Sequence, residues 1–525
     1  MASLSLWIIK TTREKEKIRQ TIEPIVRLEN DNRKSVNIEK IKTLGALKKS
    51  GYKPRSIKAE LRENLISKIQ NKEKIFDGII GFDDTVLPDI ERAILSRHNI
   101  LLLGLRGQAK TRLARMMTQL LDEHMPVVAG SEINDDPMQP LSRYAIDLVN
   151  EKGDKTPIDW IHRSERFVEK LATPDVSVAD LIGDVDPIKA ASLKLSYADE
   201  RVIHFGLVPR AHRSIFVLNE LPDLQARIQV SLFNILQEGD LQIRGFKLRF
   251  PLDIQFVFTA NPEDYTNRGS IVTPLKDRIE SQILTHYPKE LETALSITEQ
   301  EANITEDQAA AVQINDEIKM ILELVSFSAR ESDYIDEKSG VSARLSISAR
   351  ENLVSAAERR MLINADKKTA VRITDLWGII PAITGKVELV YEGEQMGSYA
   401  VAMDLVNKAI KDLFLQIFPN PDKTTKLDDR DPFGVVKAWF SGGNTVDLLN
   451  DDSEKEFQSK LDSVQGLDKL IKKYGPAKEL TYFYKELVLH GLAAFEVIGK
   501  NVLDAKFTFS DPLAKMFDDF DADDL

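Results

Sequence analysis

The chain has 525 residues, a formal net charge of −12 and 42% hydrophobic residues, enough for about three or four domains with ordinary globular cores. It contains no cysteine, which excludes disulfides and thiolate metal sites. No apolar run is long enough to span a membrane, and the opening MASLSLWIIKTTREKEK holds too short an apolar patch for a signal peptide, so the expectation is a soluble, cytoplasmic protein.

Met1 to Phe76 carries about 19 basic against about 9 acidic side chains, leaving the remainder strongly acidic. The segment reads as helices broken near Asn30-Asp31-Asn32 and at Gly51-Tyr52-Lys53-Pro54. Its charge suits a solvated helical face, or contact with nucleic acid, anionic lipid or an acidic partner. Next, Ile79-Ile80-Gly81 precede a helix. They fit a segment lying over an adenine base, or an ordinary loop before a helix.

Asn99 to Thr111 reads N-I-L-L-L-G-L-R-G-Q-A-K-T. Ile100 to Leu103 is a short apolar run of buried-strand length. Gly104 and Gly107 break it, and Lys110-Thr111 complete the spacing G-x-x-x-x-G-K-[ST], with Ala109 where the second glycine belongs. Leu113, Met116, Met117, Leu120 and Leu121 then recur at helical spacing. A loop between strand and helix presents unpaired backbone N–H groups that cradle phosphate oxygens. Gly104, Gly107, Gln108, Ala109, Lys110 and Thr111 are therefore the candidate phosphate site for ATP. Lys110 would reach the β- and γ-phosphates, and the Thr111 hydroxyl would ligate Mg²⁺. Ala109 is expected at helical φ, with Gly107 supplying the unusual turn.

Gly130 to Tyr144 is loop-like, and Asp159 to Leu171 is expected as a charged amphipathic helix. Ile188 to Phe205 has the look of an insertion. Arg201, Arg210, His212 and Arg213 cluster nearby and would be phosphate-facing or simply surface. Ser214 to Glu220 ends an unbroken apolar run in Asn219-Glu220, the pattern of a buried parallel strand. In a phosphate-loop ATPase an acidic pair stands there. The first acid holds Mg²⁺ through water and the second orients or deprotonates the attacking water. Glu220 fits the second role. Asn219 replaces the first with an amide oxygen, a weaker hold on the metal.

A helix over Leu224 to Leu236 ends at Gly239, and Leu241 to Phe250 reads as a hairpin turning at or near Gly245. Arg244, Lys247 and Arg249 would make it positive. It either projects towards a substrate or is a solvated basic edge. Pro251 to Asn261 is a third strand, whose Asn261 would come within reach of a γ-phosphate or its attacking water. Three strands delivering Lys110, Glu220 and Asn261 to one edge match the rule that α/β sites lie at the carboxyl ends of strands.

Together G-L-R-G-Q-A-K-T, A-H-R-S-I-F-V-L-N-E, T-A-N-P-E-D-Y-T-N-R-G and P-L-K-D-R resemble, in the right order, the AAA+ ATPases of the magnesium-chelatase I-subunit and MoxR group. The match covers roughly Phe76 to Gly397. It implies an α/β phosphate-loop domain with a parallel sheet, a helical lid, and additional helical N- and C-terminal regions. It further implies a homo-oligomeric ring, commonly hexameric, with ATP between subunits, and a protein partner bearing a von Willebrand A domain. Asn261 falls in the role of sensor 1, Arg278 in that of the arginine finger and Arg344 in that of sensor 2. Ile188 to Phe205 would contain the helix-2 insertion. An arginine that chelatase subunits carry shortly before their D-R is absent at Ile271 to Thr273, where Arg268 is the substitute.

The expected organisation is a helical basic region over 1–76, an ATPase core over 77–289, a lid over 290–418 and a linker over 419–431. A helical C-terminal domain over 432–507 and an acidic tail over 508–525 complete it. Phe517 and Phe520 in the tail would dock on a basic partner, or the tail solvates the chain. The function implied is ATP-driven remodelling of a partner protein. The alternatives are a chelatase motor inserting Mg²⁺ into a porphyrin, and a nucleotide-gated DNA-binding regulator. The last ranks lowest because no helix-turn-helix signature is present, so nucleic acid is not the expected partner.

Overall fold

A computed structural model describes residues 38–197, 199–241, 243, 250–262, 270–423, 431–475, 478–503 and 506–512. Residues 1–37 of the basic segment, the hairpin's Arg244, Gly245, Lys247 and Arg249, and Arg268 lie outside these. So do 424–430 of the linker and the tail's Phe517 and Phe520.

Five strands form the central sheet: β1 (Ile100–Leu103), β2 (Phe167–Leu171), β3 (Ser214–Asn219), β4 (Ile254–Ala260) and β5 (Ser281–Leu284). Their spatial order is β5-β1-β4-β3-β2, and every pairing is parallel. β1, β3 and β4 are buried along their whole length, which is why they read as unbroken apolar runs. On one face Ile100, Val217 and Val257 pack under α1 (Ile57–Gln70), α2 (Val86–Leu95) and α3 (Lys110–Met116). On the other, Leu101, Phe216 and Phe258 pack on Leu221, Ile228 and Leu232.

Helix α1 belongs to the body built on the central sheet. Ile57, Leu61 and Leu65 join the core of the sheet's first face, and Glu60 meets Arg166 in a bidentate pair at 2.7 Å through both oxygens. A boundary at residue 77 would cut through this packed layer.

Asp159 to Leu171 is not a helix. Ile158–His162 pairs antiparallel with His124–Val128, and β2 lies beside β3 with Leu171 opposite Asn219. The alternation of Phe167, Glu169 and Leu171 with Val168 and Lys170 is the two-residue period of a strand. The charges among them imitate a helical polar face, and pairing with β3 overrides that pattern.

The expected insertion forms α4 (Pro187–Leu193), held between the antiparallel strands Gly183–Val185 and Ile203–Phe205. The arginine cluster beyond it faces no phosphate site. Arg213 is buried against Asp136 at 3.0 Å and donates to the Tyr52 hydroxyl. His212 is buried, and Arg201 pairs with Asp199 at the surface. The foot of the expected hairpin is present, with Asp240–Leu241 antiparallel to Phe250–Pro251.

The helices of the lid region, α5 (Arg344–Ile363) among them, share one hydrophobic core with the C-terminal region, running from Val312 to Phe509. Glu486 joins the two by accepting from the backbone N–H groups of Ile373 and Thr374, both at 2.8 Å. Beside its helices the C-terminal region carries an antiparallel sheet, which the helical reading did not include: β6 (Val446–Leu449), β7 (Gly499–Leu503) and β8 (Lys506–Ser510), in the order β6-β8-β7. Among the described residues no helix is long and apolar enough to cross a membrane.

Candidate nucleotide site

The carboxyl ends of β1, β4 and β3 open onto a cleft of about 960 Å³ lined by Lys110, Thr111, Glu220 and Asn261. β1 runs into the loop 104–109, and α3 starts at Lys110. The loop is pinned from below. Gly104 N–H donates to the Ala260 carbonyl at 3.1 Å, and Thr285, just past β5, donates its hydroxyl to Gln108 Oε1 at 2.6 Å. A side chain at Gly104 would collide with both of those groups. Gly107 has φ +73° and lies against Ser342 of the lid region. Both glycines are thus required by close approach, and Gly107 by conformation as well.

Ala109 departs from the expected helical φ. It sits at φ 55°, ψ 15°, the left-handed region that a glycine would occupy without cost. The departure from the motif is therefore a strained residue in the motif's own geometry.

Lys110 is buried to 8% exposure. Its ammonium donates to the carbonyls of Gly104 and Leu105 and, at 2.9 Å, to Asn261 Oδ1. Two of the strand-end residues are thus in direct contact. Thr111 donates its hydroxyl to Asn219 Oδ1 at 3.4 Å, and Thr259 of β4 donates to the same oxygen at 3.1 Å. The Asn219 amide nitrogen donates to Glu169 Oε1 of β2 at 2.6 Å. Glu220 leaves the strand at φ 55° with its N–H on Thr259 Oγ1, and it lines the cleft.

A second compartment of about 200 Å³ adjoins the first and shares Gly107, Gln108, Ala109 and Arg344 with it. Ile80 and Gly81 form one wall; His286, Tyr287 and Ile297 form another. It is narrow and mainly apolar, suiting a flat heteroaromatic ring. Arg344, the first residue of α5, stands where the compartments meet. Arg278 does not reach the cleft of its own chain. Its guanidinium lies 5.0 Å from the Phe233 ring centre and bonds Gln237 and the Pro274 carbonyl.

The donor set fits a nucleotide with a hard cation. Lys110 and Arg344, with Arg106, Arg112 and Arg115 around the rim, supply positive charge. Thr111, Asn219 and Glu220 offer oxygens, the ligands Mg²⁺ prefers. Among the described residues no group of three or more His, Asp or Glu could hold a metal by itself. Sequence reasoning missed Glu169, Thr259, Thr285, His286 and Tyr287. The last three directly follow β5, and recognising that strand would have placed them at the cleft.

A parallel sheet ordered β5-β1-β4-β3-β2, with a phosphate-type loop after β1 and polar residues ending β3 and β4, defines an α/β phosphate-loop fold. No protein-family model matches the chain. Among solved structures it is similar to a candidate ATPase of Cytophaga hutchinsonii, at 17% identity, TM-score 0.28, covering 67% of this chain and 96% of that one. A reconstruction of the BchI–BchD complex of magnesium chelatase is 18% identical, TM-score 0.31, covering 61% and 98%. A point mutant of RuvB from Thermotoga maritima is 11% identical, TM-score 0.34, covering 66% and 81%. The assignment to the fold rests on the geometry of sheet and loop.

Proposed function

We propose that this chain binds ATP with Mg²⁺ and hydrolyses it as a ring-forming AAA+ ATPase of the magnesium-chelatase and MoxR type, remodelling or activating a partner protein. The observation that carries the reading is the convergence of Lys110, Glu220 and Asn261 on one cleft from the ends of three adjacent parallel strands.

The adenine ring would lie between Ile80-Gly81 and Tyr287, with the phosphates on the N–H groups of the 104–111 loop. Lys110 would exchange its loop carbonyls for β- and γ-phosphate oxygens. Thr111 and Asn219 would hold the metal, which when bound neutralises charge on those oxygens. Glu220 takes the proton of the attacking water as that water's oxygen bonds to the γ-phosphorus and the bond to ADP breaks. Asn261 orients the γ-phosphate or the water, and Arg344 reaches the phosphates from the lid. Arg278 acts on a neighbouring subunit's nucleotide, which agrees with its absence from its own cleft. The ring and a partner bearing a von Willebrand A domain follow from the family resemblance.

Glu220→Gln tests the chemistry. The variant should bind ATP with affinity close to the wild type, measured with a fluorescent analogue, and release no phosphate. Normal phosphate release would remove Glu220 from its role.

A further inference from the structure

In the strand-end pair of a phosphate-loop ATPase the first residue is an acid, and here it is Asn219. A carboxylate stands directly behind it, because Glu169 of β2 is at hydrogen-bond distance. Three observations place it there. Glu169 and Asn219 lie on one face of neighbouring parallel strands, two residues out of direct register. Their side chains are joined at 2.6 Å. Arg115, one turn into α3, closes over the pair at 2.8 Å from the other Glu169 oxygen.

The pair has a definite polarity. A carboxylate only accepts hydrogen bonds, so Asn219 must turn its NH₂ group to Glu169. Its Oδ1 then faces the hydroxyls of Thr111 and Thr259, where both contacts are made. The amide oxygen is thereby presented on the phosphate side, and the Glu169–Arg115 ion pair stands one hydrogen bond behind it.

We propose that Glu169 is a positioning residue for the metal of this site. It fixes the Asn219 amide so that Oδ1 acts as the metal-side oxygen, while its second oxygen is held by Arg115. This rests on the nucleotide-site reading above. It also means that Asn219 and Glu169 are matched. An aspartate at 219 would set two carboxylates against each other in the space of one hydrogen bond, a destabilising arrangement.

The test is a charge-exchange cycle over wild type, Glu169→Gln, Asn219→Asp and Glu169→Gln/Asn219→Asp. Binding of a fluorescent ADP analogue is measured in EDTA and across a Mg²⁺ titration, and thermal unfolding is followed without nucleotide. Partners one shell behind a metal ligand affect metal affinity by about 10–100-fold. Glu169→Gln should accordingly need at least about tenfold more Mg²⁺ for half of the metal-dependent gain in affinity. Asn219→Asp should unfold at lower temperature than wild type, and the double exchange should recover both stability and Mg²⁺ response. Equal Mg²⁺ response in Glu169→Gln, or an Asn219→Asp variant as stable as wild type with Glu169 intact, would overturn the proposal. A wild type that binds the analogue neither in EDTA nor in Mg²⁺ would remove the nucleotide site itself. Binding that is intact in wild type but indifferent to Glu169 removes only the positioning role.

Discussion

At residue 109 the sequence and the backbone disagree about what a phosphate loop needs. The motif asks for glycine, the chain supplies alanine, and the backbone holds it at φ 55°. Alanine in that region costs of the order of 1 kcal/mol or more. Ala109→Gly should therefore raise stability by about 1 kcal/mol in urea unfolding while keeping nucleotide affinity. An unchanged or lowered midpoint would mean that the loop relaxes in solution. Most of the site was legible at this scale. Asn219, Glu220 and Asn261 stood out as candidates because each directly follows, or ends, an unbroken apolar run, and Lys110 and Thr111 because of their spacing from Gly104 and Gly107 after one. The Ala109 conformation was not, because side-chain identity does not report φ. Glu169 was hidden because a surface-like E-K-L gives no sign of what stands on the next strand.

Elements carry a different kind of information. The central strands were readable from their apolar runs, whereas β2 was hidden by its charges and by its place at the sheet's edge. The helical reading of 159–171 failed because Arg166 is solvated-looking in sequence but 1% exposed in the fold. It is neutralised by Glu60, which lies 106 residues away on α1. Such a pair adds little over apolar packing, but breaking it strands a buried charge. Glu60→Ala should cost about 3–5 kcal/mol of unfolding free energy, with much of the loss recovered by adding Arg166→Met. A cost below about 1 kcal/mol, as is usual for surface pairs, would show that α1 does not seal this side of the sheet.

Nearby, burial, with Arg213 alongside, pushes the His212 imidazole down to about 4. The folded state thus resists a proton that the unfolded chain accepts below its ordinary value near 6.5. The stability is complete above that value and is lost as pH falls towards 4. Between about pH 7 and pH 5 this group alone should remove about 2 kcal/mol, at about 1.4 kcal/mol per pH unit. His212→Gln should flatten the fall in urea midpoint by a corresponding amount. A slope identical to wild type would show that the imidazole is solvated.

For the molecule as a whole, the lid and C-terminal regions form a single packed body with one core. Its lid region meets the phosphate loop directly, through Ser342 against Gly107 and through Glu388, whose carboxylate pairs with Arg106 at 2.5 Å. The domain division expected at 419–431 was drawn from composition, which marks where a chain is polar but not which cores fuse. Assembly adds a test of Arg278. Arg278→Ala and Lys110→Ala should each be inactive alone. Mixed, they should regain activity, because a Lys110→Ala subunit can lend its intact Arg278 to a neighbour that still binds ATP. With exchange verified by a labelled subunit, no recovery at any ratio would rule out a finger supplied in trans.

The central claim is that the 104–111 loop holds nucleotide phosphates through Lys110, and calorimetric titration of ATP with Mg²⁺ into wild type and Lys110→Ala tests it most directly. The account predicts saturable binding to wild type and no detectable binding to a folded Lys110→Ala. Equal affinity in the two proteins would contradict it.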